Sequence, residues 1–296
     1  MKIFDCFMFY DEEMLLEIRL NELNKFVDYF VIVESNYTHS GAIKDFVFNK
    51  KKYQKFSDKI IYVKVETQPN NILKISNEDN DDTKNRKYIM NALFREQYQR
   101  NQISIGLKNA NPNDIIMLSD LDEIPDLRNF DFKKIDNKFV FFKQLNFYYK
   151  FNLYLKNFDW IGTRSCKYKY LLSPQWLRDI KAKNYPFWRL DILFSNIKTN
   201  KIFFKQNGGW HFSYLKNAED IEKKLKNYLH HREYDLNPLG KNKINELIES
   251  YIPVYDLKVD MKKSKFDGKS SLVKLENNYL PDYLLENKDK YKKWFG

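Results

Sequence analysis

The sequence predicts an α/β fold with a mixed sheet flanked by helices and a small C-terminal extension. Three observations support this class. Short apolar runs alternate with amphipathic helical segments in the first third of the chain, long aromatic runs follow in the middle, and a Lys-rich stretch with short elements ends it. Strands separated by helices indicate a mostly parallel sheet with helices on both faces, whereas long consecutive strands indicate antiparallel pairing.

The first third contains four predicted strands and two predicted helices. Strands are predicted at 3–10, 29–33, 60–65 and 114–119. The helix at 12–24 sets five aliphatic residues among charged ones, which is the spacing of an amphipathic helix. A second, long helix is predicted at 86–108, and the Asn- and Asp-rich stretch at 68–85 is predicted to be a mobile surface loop.

Beyond residue 122 the pattern changes to long aromatic strands, predicted at 138–149 and 153–170. A short helix at 174–181, strands at 202–204 and 210–215, and a helix at 219–231 complete this part. We predict one main domain over residues 1–240 and an extension over 241–296 that packs on it.

Composition excludes several classes of protein. The chain has 296 residues, 43% hydrophobic and 31% charged, so it is long and apolar enough to bury a core. Eight glycines and eight prolines exclude a collagen-like or linker-like chain. Two cysteines, Cys6 and Cys166, are too few for a disulfide scaffold or a structural zinc site.

The chain carries 51 Lys and Arg against 40 Asp and Glu, a net charge of +11. Such a surplus favours acidic partners, namely a nucleic acid, an anionic membrane face or a phosphorylated small molecule; genomic base composition is an equal explanation of the Lys excess. No apolar run approaches the roughly 18 residues that span a membrane, and the start of the chain is too acidic for a signal peptide. We therefore expect a cytoplasmic or peripheral membrane protein.

The most informative segment is DIIMLSDLDEIP, at 114–125. A buried strand delivers Asp120 and Asp122 to its carboxyl end, which is where ligands bind in open α/β sheets. Two neighbouring carboxylates repel each other unless a cation lies between them, and their oxygens suit Mg²⁺ or Mn²⁺. The alternative is an acidic loop that only caps the next turn.

Three further segments supply candidate binding residues. Glu34 and Asn36 follow the second strand, where their side chains can accept hydrogen bonds from a base or a ribose, although a plain polar turn is an alternative. His211 follows a Gly-Gly pair that lets backbone approach a ligand, and its imidazole is either a metal ligand or a hydrogen-bonded core group. Arg100 on the long helix, like Arg164 and Arg178, can bind a phosphate or form a salt bridge.

The sequence contains no Gly-rich dinucleotide loop, Walker loop or nucleophile elbow. That weighs against dehydrogenase, kinase-like and hydrolase functions. A metal-dependent phosphoesterase usually needs more carboxylate or His ligands than these segments offer.

Taken together, the segments resemble glycosyltransferase family 17, whose best-known animal member transfers N-acetylglucosamine to N-glycans. The resemblance rests on LLEIRLNEL at 15–23, FVIVESNYT at 30–38, DLDEIP at 120–125 and GWHFS at 209–213, in family order. It covers about residues 1–235, and the 68–85 loop and the Lys-rich tail depart from the pattern. It implies a GT-A-like (Rossmann-like) fold, a UDP-sugar donor, Mn²⁺ or Mg²⁺, and inversion at the anomeric carbon.

The resemblance also suggests roles for particular residues. Asp122 is assigned to direct metal binding, and Asp120 to the metal through water or to the ribose. Glu34, Asn36 and Arg100 are assigned to the nucleotide pocket, and His211 to the metal shell. Inversion requires a general base for the acceptor hydroxyl, and the candidates are two carboxylates near a Trp, Asp159 and Asp191.

Three hypotheses from different classes remain at this point. The first is an inverting, metal-dependent glycosyltransferase that moves a sugar, expected to be N-acetylglucosamine, to a glycan acceptor. The second is a non-catalytic nucleotide-sugar or glycan-binding protein on the same scaffold. The third is a nucleic-acid binder driven by charge, but the basic residues are spread along the chain and no nucleic-acid motif is present. Peripheral contact with an anionic membrane is compatible with the first.

Overall fold

A computed structural model describes residues 1–186, 188–227, 231–259 and 264–296. It confirms the predicted fold class, a mixed α/β fold of the Rossmann-like, GT-A type. No helix within these ranges is both long enough and apolar enough to cross a membrane.

The strands and helices alternate early and change character later, as the sequence indicates. The strands are β1 (Ile3–Phe9), β2 (Tyr29–Ser35), β3 (Ile60–Val65), β4 (Ile115–Asp120), β5 (Glu123–Pro125), β6 (Phe139–Tyr148), β7 (Leu153–Lys167), β8 (Ile202–Lys205), β9 (Gly209–Ser213) and β10 (Val273–Lys274). The helices are α1 (Glu13–Leu23), α2 (Asp81–Asn101), α3 (Ile103–Gly106), α4 (Pro174–Asp179), α5 (Ala218–Asn227), α6 (His231–Leu236), α7 (Gly240–Glu249) and α8 (Asp282–Glu286).

The strands form one sheet in the order β3-β2-β1-β4-β7-β6-β9-β5, with β8 paired to β6 and β10 to β7. The first four strands are parallel, and β7 runs antiparallel to both β4 and β6. Parallel neighbours end at the same edge, so the loops that follow β1, β2 and β4 lie side by side. Ligands bind at this edge in open α/β sheets.

Side-chain alternation explains why the central strands read as unbroken apolar runs. On β2, Phe30 and Ile32 enter the core beneath α1, whereas Val31 and Val33 enter the core on the opposite face. All four are fully buried. A strand that is covered on both faces needs an apolar residue at every position.

The long helix differs from its prediction at both ends. It begins at Asp81, because Asn80 accepts a hydrogen bond from the Thr83 amide at 2.8 Å and so caps the first turn. The polar sequence of that turn therefore belongs to the helix, not to the predicted 68–85 loop. The helix ends at Asn101, and α3 follows as a separate turn. The predicted helix at 219–231 corresponds to α5; residues 228–230 lie outside the described ranges, and α6 begins at His231.

The C-terminal extension shares the main core. Leu280, Leu284 and Tyr291 are buried in the cluster beneath α1, and the Phe151 amide donates to the Trp294 carbonyl at 2.8 Å. β10 adds to the sheet by pairing with β7. The C-terminal residues thus contribute to the main core, and the division into a domain over 1–240 and an extension over 241–296 stays a prediction.

Candidate functional site

The acidic segment forms a tight loop at the carboxyl end of β4, between that strand and β5. Asp120 is the last residue of β4 and pairs with Met8 near the end of β1. The Glu123 carboxylate accepts a hydrogen bond from the Asp120 amide at 2.8 Å, which closes the loop on itself. The two aspartates therefore stand on a short and internally bonded turn.

Arg19 of α1 donates hydrogen bonds to the backbone of this loop. Its Nη1 donates to the carbonyl oxygens of Asp120, Leu121 and Glu123 at 3.1, 3.1 and 2.8 Å. The same guanidinium forms a fully buried pair with Asp5 of β1, with Nη2–Oδ1 at 2.6 Å and Nε–Oδ2 at 2.8 Å. A bidentate pair fixes the direction of the guanidinium, so Arg19 positions the backbone that carries the aspartates.

Asp120 is gripped by two arginines. Its Oδ1 lies 3.2 Å from Nη2 of Arg100 on α2, and its Oδ2 lies 3.0 Å from Nη2 of Arg178 on α4. Burial acts to raise the pKa of Asp120, but Arg178 and Arg100 outweigh it and hold the pKa well below the usual range. Asp120 is therefore a carboxylate at neutral pH, with both oxygens already facing cations.

Asp122 stands in a different electrostatic setting. Its Oδ1 lies 3.7 Å from Nε2 of His211, and its Oδ2 lies 3.7 Å from Nζ of Lys224 on α5. Burial raises the pKa of Asp122, assisted by the charges of Asp120 and Glu123 and opposed by His211 and Lys224. A carboxylate whose ionised form is disfavoured gains most from an added cation.

His211 of β9 lies beside the Asp122 carboxylate. Its ring stacks on Trp160 of β7, with centroids 4.8 Å apart, and its Nε2 lies 3.1 Å from the Ser213 hydroxyl. Within the described part of the chain, its buried Nδ1 has no hydrogen-bond partner. Stacking on Trp160 therefore fixes the imidazole with Nε2 toward Asp122 and Ser213 and with Nδ1 buried.

Glu123 connects the loop to α4 and β7. Its buried carboxylate accepts from Arg178 at 2.6 and 2.8 Å and from the Trp160 indole at 2.6 Å. Arg164 donates to the carbonyls of Leu177, Arg178 and Ile180 and so caps the end of α4. Arg164 therefore supports the helix that presents Arg178, rather than facing a ligand itself.

A cavity of about 240 Å³ opens beside the loop. It lies at the shared edge of β1, β2 and β4, and its polar lining combines both charges. The lining includes Tyr10, Glu12, Ser35, Thr38, His39, Lys44, Glu96, Gln99, Arg100, Asp120, Asp122 and Lys224. Three of the eight site residues proposed from sequence, Arg100, Asp120 and Asp122, thus line one pocket, and His211 adjoins it through Asp122.

Glu34 and Asn36 lie beside this pocket but outside its lining. The buried Glu34 carboxylate accepts from the Val47 and Phe48 amides at 2.7 and 3.1 Å, and it also bonds Lys44 and Tyr62. Glu34 thereby holds the segment that carries Lys44 into the pocket. The buried Oδ1 of Asn36 has no partner among the described residues. Their assignment to the nucleotide stays a prediction.

The two proposed bases lie apart from the pocket. Asp159 is 54% exposed and lies 4.0 Å from Lys143. Successive side chains of a strand point to opposite faces, so Asp159 points to the face opposite that of Trp160, which bonds Glu123. Asp191 lies on the α4–β8 loop, where Arg189 and Lys198 bond it at 2.6 Å. The described structure does not bring either carboxylate to Asp122, and their role as base stays a prediction.

Gly208 and Gly209 lie against protein backbone, whereas the sequence predicted that they let backbone approach a ligand. At Gly209, φ is 129°, and an added Cβ would lie 2.2 Å from the Ile124 carbonyl oxygen. At Gly208 an added Cβ would lie 2.8 Å from the Lys205 carbonyl oxygen. The glycines thus let protein backbones approach each other, which places His211 opposite Glu123 on β5.

The acidic loop offers few donors for a divalent cation. No group of three or more His, Cys, Asp or Glu side chains is placed to hold a metal within the described ranges. Asp122 faces Nε2 of His211, however, a nitrogen that also contacts the Ser213 hydroxyl, and burial raises the pKa of the Asp122 carboxylate. Two protein donors suit Mg²⁺ or Mn²⁺, which keep waters and bind phosphate oxygens at the remaining positions.

Several residues of the site escaped the sequence reasoning. Arg19 and Glu123 lay within segments that carried the resemblance, but a buried ion pair leaves no local signal. Lys224 appeared as one of many charges on a surface helix, and Glu12 as the start of an amphipathic one. Only their long-range contacts distinguish them, such as Lys224 to Glu12 at 3.3 Å.

Comparison with known proteins supports the resemblance. A search of curated proteins gave no match. The family model for glycosyltransferase family 17 matches residues 1–295, so it includes the Lys-rich tail that departs from the pattern in sequence. Because that match extends over essentially the whole chain, the protein belongs to glycosyltransferase family 17.

Proposed function

We propose that the protein is an inverting, metal-dependent transferase that moves N-acetylglucosamine from UDP-N-acetylglucosamine to a glycan acceptor. Glycosyltransferase activity follows from the family; the donor sugar, the metal and the stereochemistry are the proposal. The observation that carries it is the pair of aspartates on the loop after β4, with Asp122 facing His211 at 3.7 Å beside a cavity.

The chain's own cations suit a diphosphate. Arg100 and Lys224 line the cavity, and Arg178 meets the Asp120 carboxylate at its edge. The side chain of Arg100 is only 4% exposed, so its charge acts in a medium that screens it weakly. These side chains can bind and orient the donor before transfer.

Asp122 and His211 are the residues that would hold a divalent cation. When bound, that cation supplies Lewis-acid stabilisation of the negative charge that develops on the departing diphosphate. The acceptor hydroxyl must lose its proton to a carboxylate on the opposite side of the sugar, because inversion is a single displacement. Asp120 keeps Arg100 and Arg178 in place around the donor phosphates.

Donor and metal binding can be tested by thermal unfolding with nucleotide sugars, with and without Mn²⁺. At a ligand concentration about 100-fold above Kd, binding to the native state adds about 2.7 kcal/mol of stability. UDP-N-acetylglucosamine with Mn²⁺ is expected to give the largest rise in Tm. An equal rise without Mn²⁺ would argue against the metal site, and binding with no turnover on any acceptor would support the non-catalytic alternative.

Asp122→Ala tests the same site by mutation. It is expected to abolish the Mn²⁺-dependent part of the thermal shift and to lower transfer by at least about a hundredfold, with the far-UV circular dichroism spectrum unchanged. Asp58→Ala, at an exposed position, serves as the matched control. Full transfer by Asp122→Ala would remove Asp122 from the metal site.

The general base can be sought by comparing three amide substitutions. Glu12 lines both the 240 Å³ cavity beside the acidic loop and a neighbouring cavity of about 490 Å³. An acceptor bound in the second cavity would therefore contact the Glu12 carboxylate. We include Glu12→Gln beside Asp159→Asn and Asp191→Asn. The base is the residue whose substitution lowers kcat by about 10²–10⁴-fold while donor binding persists.

A further inference from the structure

The α4–β8 loop spans residues 180–201, and its described residues, which are all but 187, expose an unusual amount of apolar surface. The exposed fractions are 66% for Trp188, 69% for Leu190, 78% for Leu193 and 91% for Phe194. Soluble proteins rarely group large exposed apolar side chains, and such groups mark surfaces that meet a partner.

The stem of the loop is fixed to the fold. The Trp176 indole donates to the Asn196 carbonyl at 2.8 Å, and the Lys181 amide donates to the Ile197 carbonyl at the same distance. The Tyr185 amide donates to the Asn200 side chain at 2.9 Å. These three hydrogen bonds join the two arms of the loop to each other and to α4.

The tip has its own internal brace. Residues 190–192 form a single 3-10 turn, and Asp191 bonds Arg189 on one side and Lys198 on the other. The turn places Leu190 before this ion-paired carboxylate, and Leu193 and Phe194 after it. The tip thus combines exposed apolar side chains with an ion-paired carboxylate.

The α4–β8 loop is strongly basic. Residues 180–201 contain five basic residues and one acidic residue. With Arg189 and Lys198 paired to Asp191, the remaining basic residues are Lys181, Lys183 and Lys201, all of them exposed. Apolar side chains next to lysines characterise segments that lie in the interface of anionic membranes, whereas protein interfaces are depleted of Lys.

We propose that the α4–β8 loop docks the protein on an anionic membrane surface, with Leu190, Leu193 and Phe194 inserted among the lipid headgroups and the flanking lysines against lipid phosphates. The loop begins immediately after α4, the helix that presents Arg178 to Asp120. Docking would therefore bring the candidate site close to the membrane, whichever donor and acceptor it uses.

Flotation with lipid vesicles tests this inference on the full chain. Wild-type protein is expected to bind phosphatidylcholine vesicles that contain phosphatidylglycerol and to bind pure phosphatidylcholine vesicles weakly. The double variant Leu193→Asp, Phe194→Asp is expected to partition at least about tenfold less, because two apolar groups no longer enter the interface. Binding should also weaken in about 1 M salt, where the Debye length is about 3 Å.

Two further variants separate the contributions. Lys181→Glu with Lys183→Glu should reduce binding to the anionic vesicles while leaving the weak binding to pure phosphatidylcholine unchanged. Leu236→Asp replaces a leucine that is 62% exposed on α6, outside the loop, and should bind like wild type. All of these positions are exposed, so unchanged Tm values are expected and confirm that each variant folds.

Other occupants of the tip would give different results. Equal vesicle binding by wild type and the Leu193→Asp, Phe194→Asp variant, or no preference for anionic lipid, would overturn the inference. A dimer of the wild type that this variant dissociates, seen by sedimentation equilibrium, would assign the tip to a second copy instead. Weaker binding of UDP by the variant, without a vesicle effect, would assign it to a lid over the cavity.

Discussion

At the scale of single residues, the position of the acidic loop depends on Arg19. Replacing Arg19 with Ala leaves the Asp5 carboxylate buried without its partner and three loop carbonyls without their donor. We expect the free energy of unfolding to fall by about 3–5 kcal/mol, since an uncompensated buried charge is costly. Urea denaturation measures the loss.

The double variant Asp5→Leu, Arg19→Met separates the charge from the positioning role. It removes both members of the buried pair and should recover most of the lost stability, but the loop carbonyls still lack their donor. Transfer should therefore stay low while stability returns. A double variant with wild-type transfer would show that Arg19 does not position the loop.

The lowered pKa of Asp114 makes the stability of the fold depend on pH. Burial acts to raise the pKa of Asp114, but hydrogen bonds from the Lys2 and Asn111 amides, both at 2.8 Å, hold the pKa below its usual range. A folded-state pKa below the unfolded value stabilises the protein above the unfolded pKa, about 3.9. That stability is lost as pH falls through the folded pKa.

Asp114→Asn should lower the free energy of unfolding at neutral pH by about 1 kcal/mol or more. The difference from wild type should narrow as pH falls from about 5 towards about 3, because the protonated acid then resembles the amide. Asp58→Asn, at an exposed position, should match wild type throughout. A gap for Asp114→Asn that is constant with pH would contradict this account.

At the scale of elements, β9 depends on Gly209. A Cβ there would lie 2.2 Å from the Ile124 carbonyl oxygen, and φ is 129°. Gly209→Ala should therefore cost at least about 3 kcal/mol through strain and forced separation of β5 from β9. It should also lower transfer, because His211 lies on the same short strand.

Gly240 at the start of α7 provides the control for this substitution. Its φ is 77°, but among the described residues no atom outside its chain neighbours and its own helix backbone lies within 4 Å of an added Cβ. Gly240→Ala should cost only the backbone strain, about 1–2 kcal/mol. If thermal unfolding shows a similar loss of stability for both variants, the close approach of β5 and β9 does not add to the cost of Gly209→Ala.

At the scale of the whole molecule, the C-terminal extension completes the core. Leu284 of α8 is fully buried beneath α1, whereas nearby Tyr279 is 57% exposed. Leu284→Ala should lower the free energy of unfolding by about 2–5 kcal/mol, and Tyr279→Ala by no more than about 0.5 kcal/mol. Equal small effects in urea would show that the extension is dispensable for the core.

Local sequence patterns are enough to predict most of the strands and helices and the place of the acidic loop. Unbroken apolar runs such as 29–33 and the aliphatic residues of α1 mark buried segments, and a strand followed by two aspartates marks the ligand edge of a parallel sheet. These are local patterns, so the strands at 60–65 and 115–120 could be predicted to within a residue.

The charged side chains that meet at that edge come together only through long-range packing. Arg19 reaches the loop across 101 residues of sequence, and Lys224 meets Asp122 across a similar distance. Asp159 and Asp191, which local context favoured, lie apart from the cavity. Charged residues carry no periodic signal of their own, because their partners are set by how distant segments pack, and that packing is a property of the whole chain.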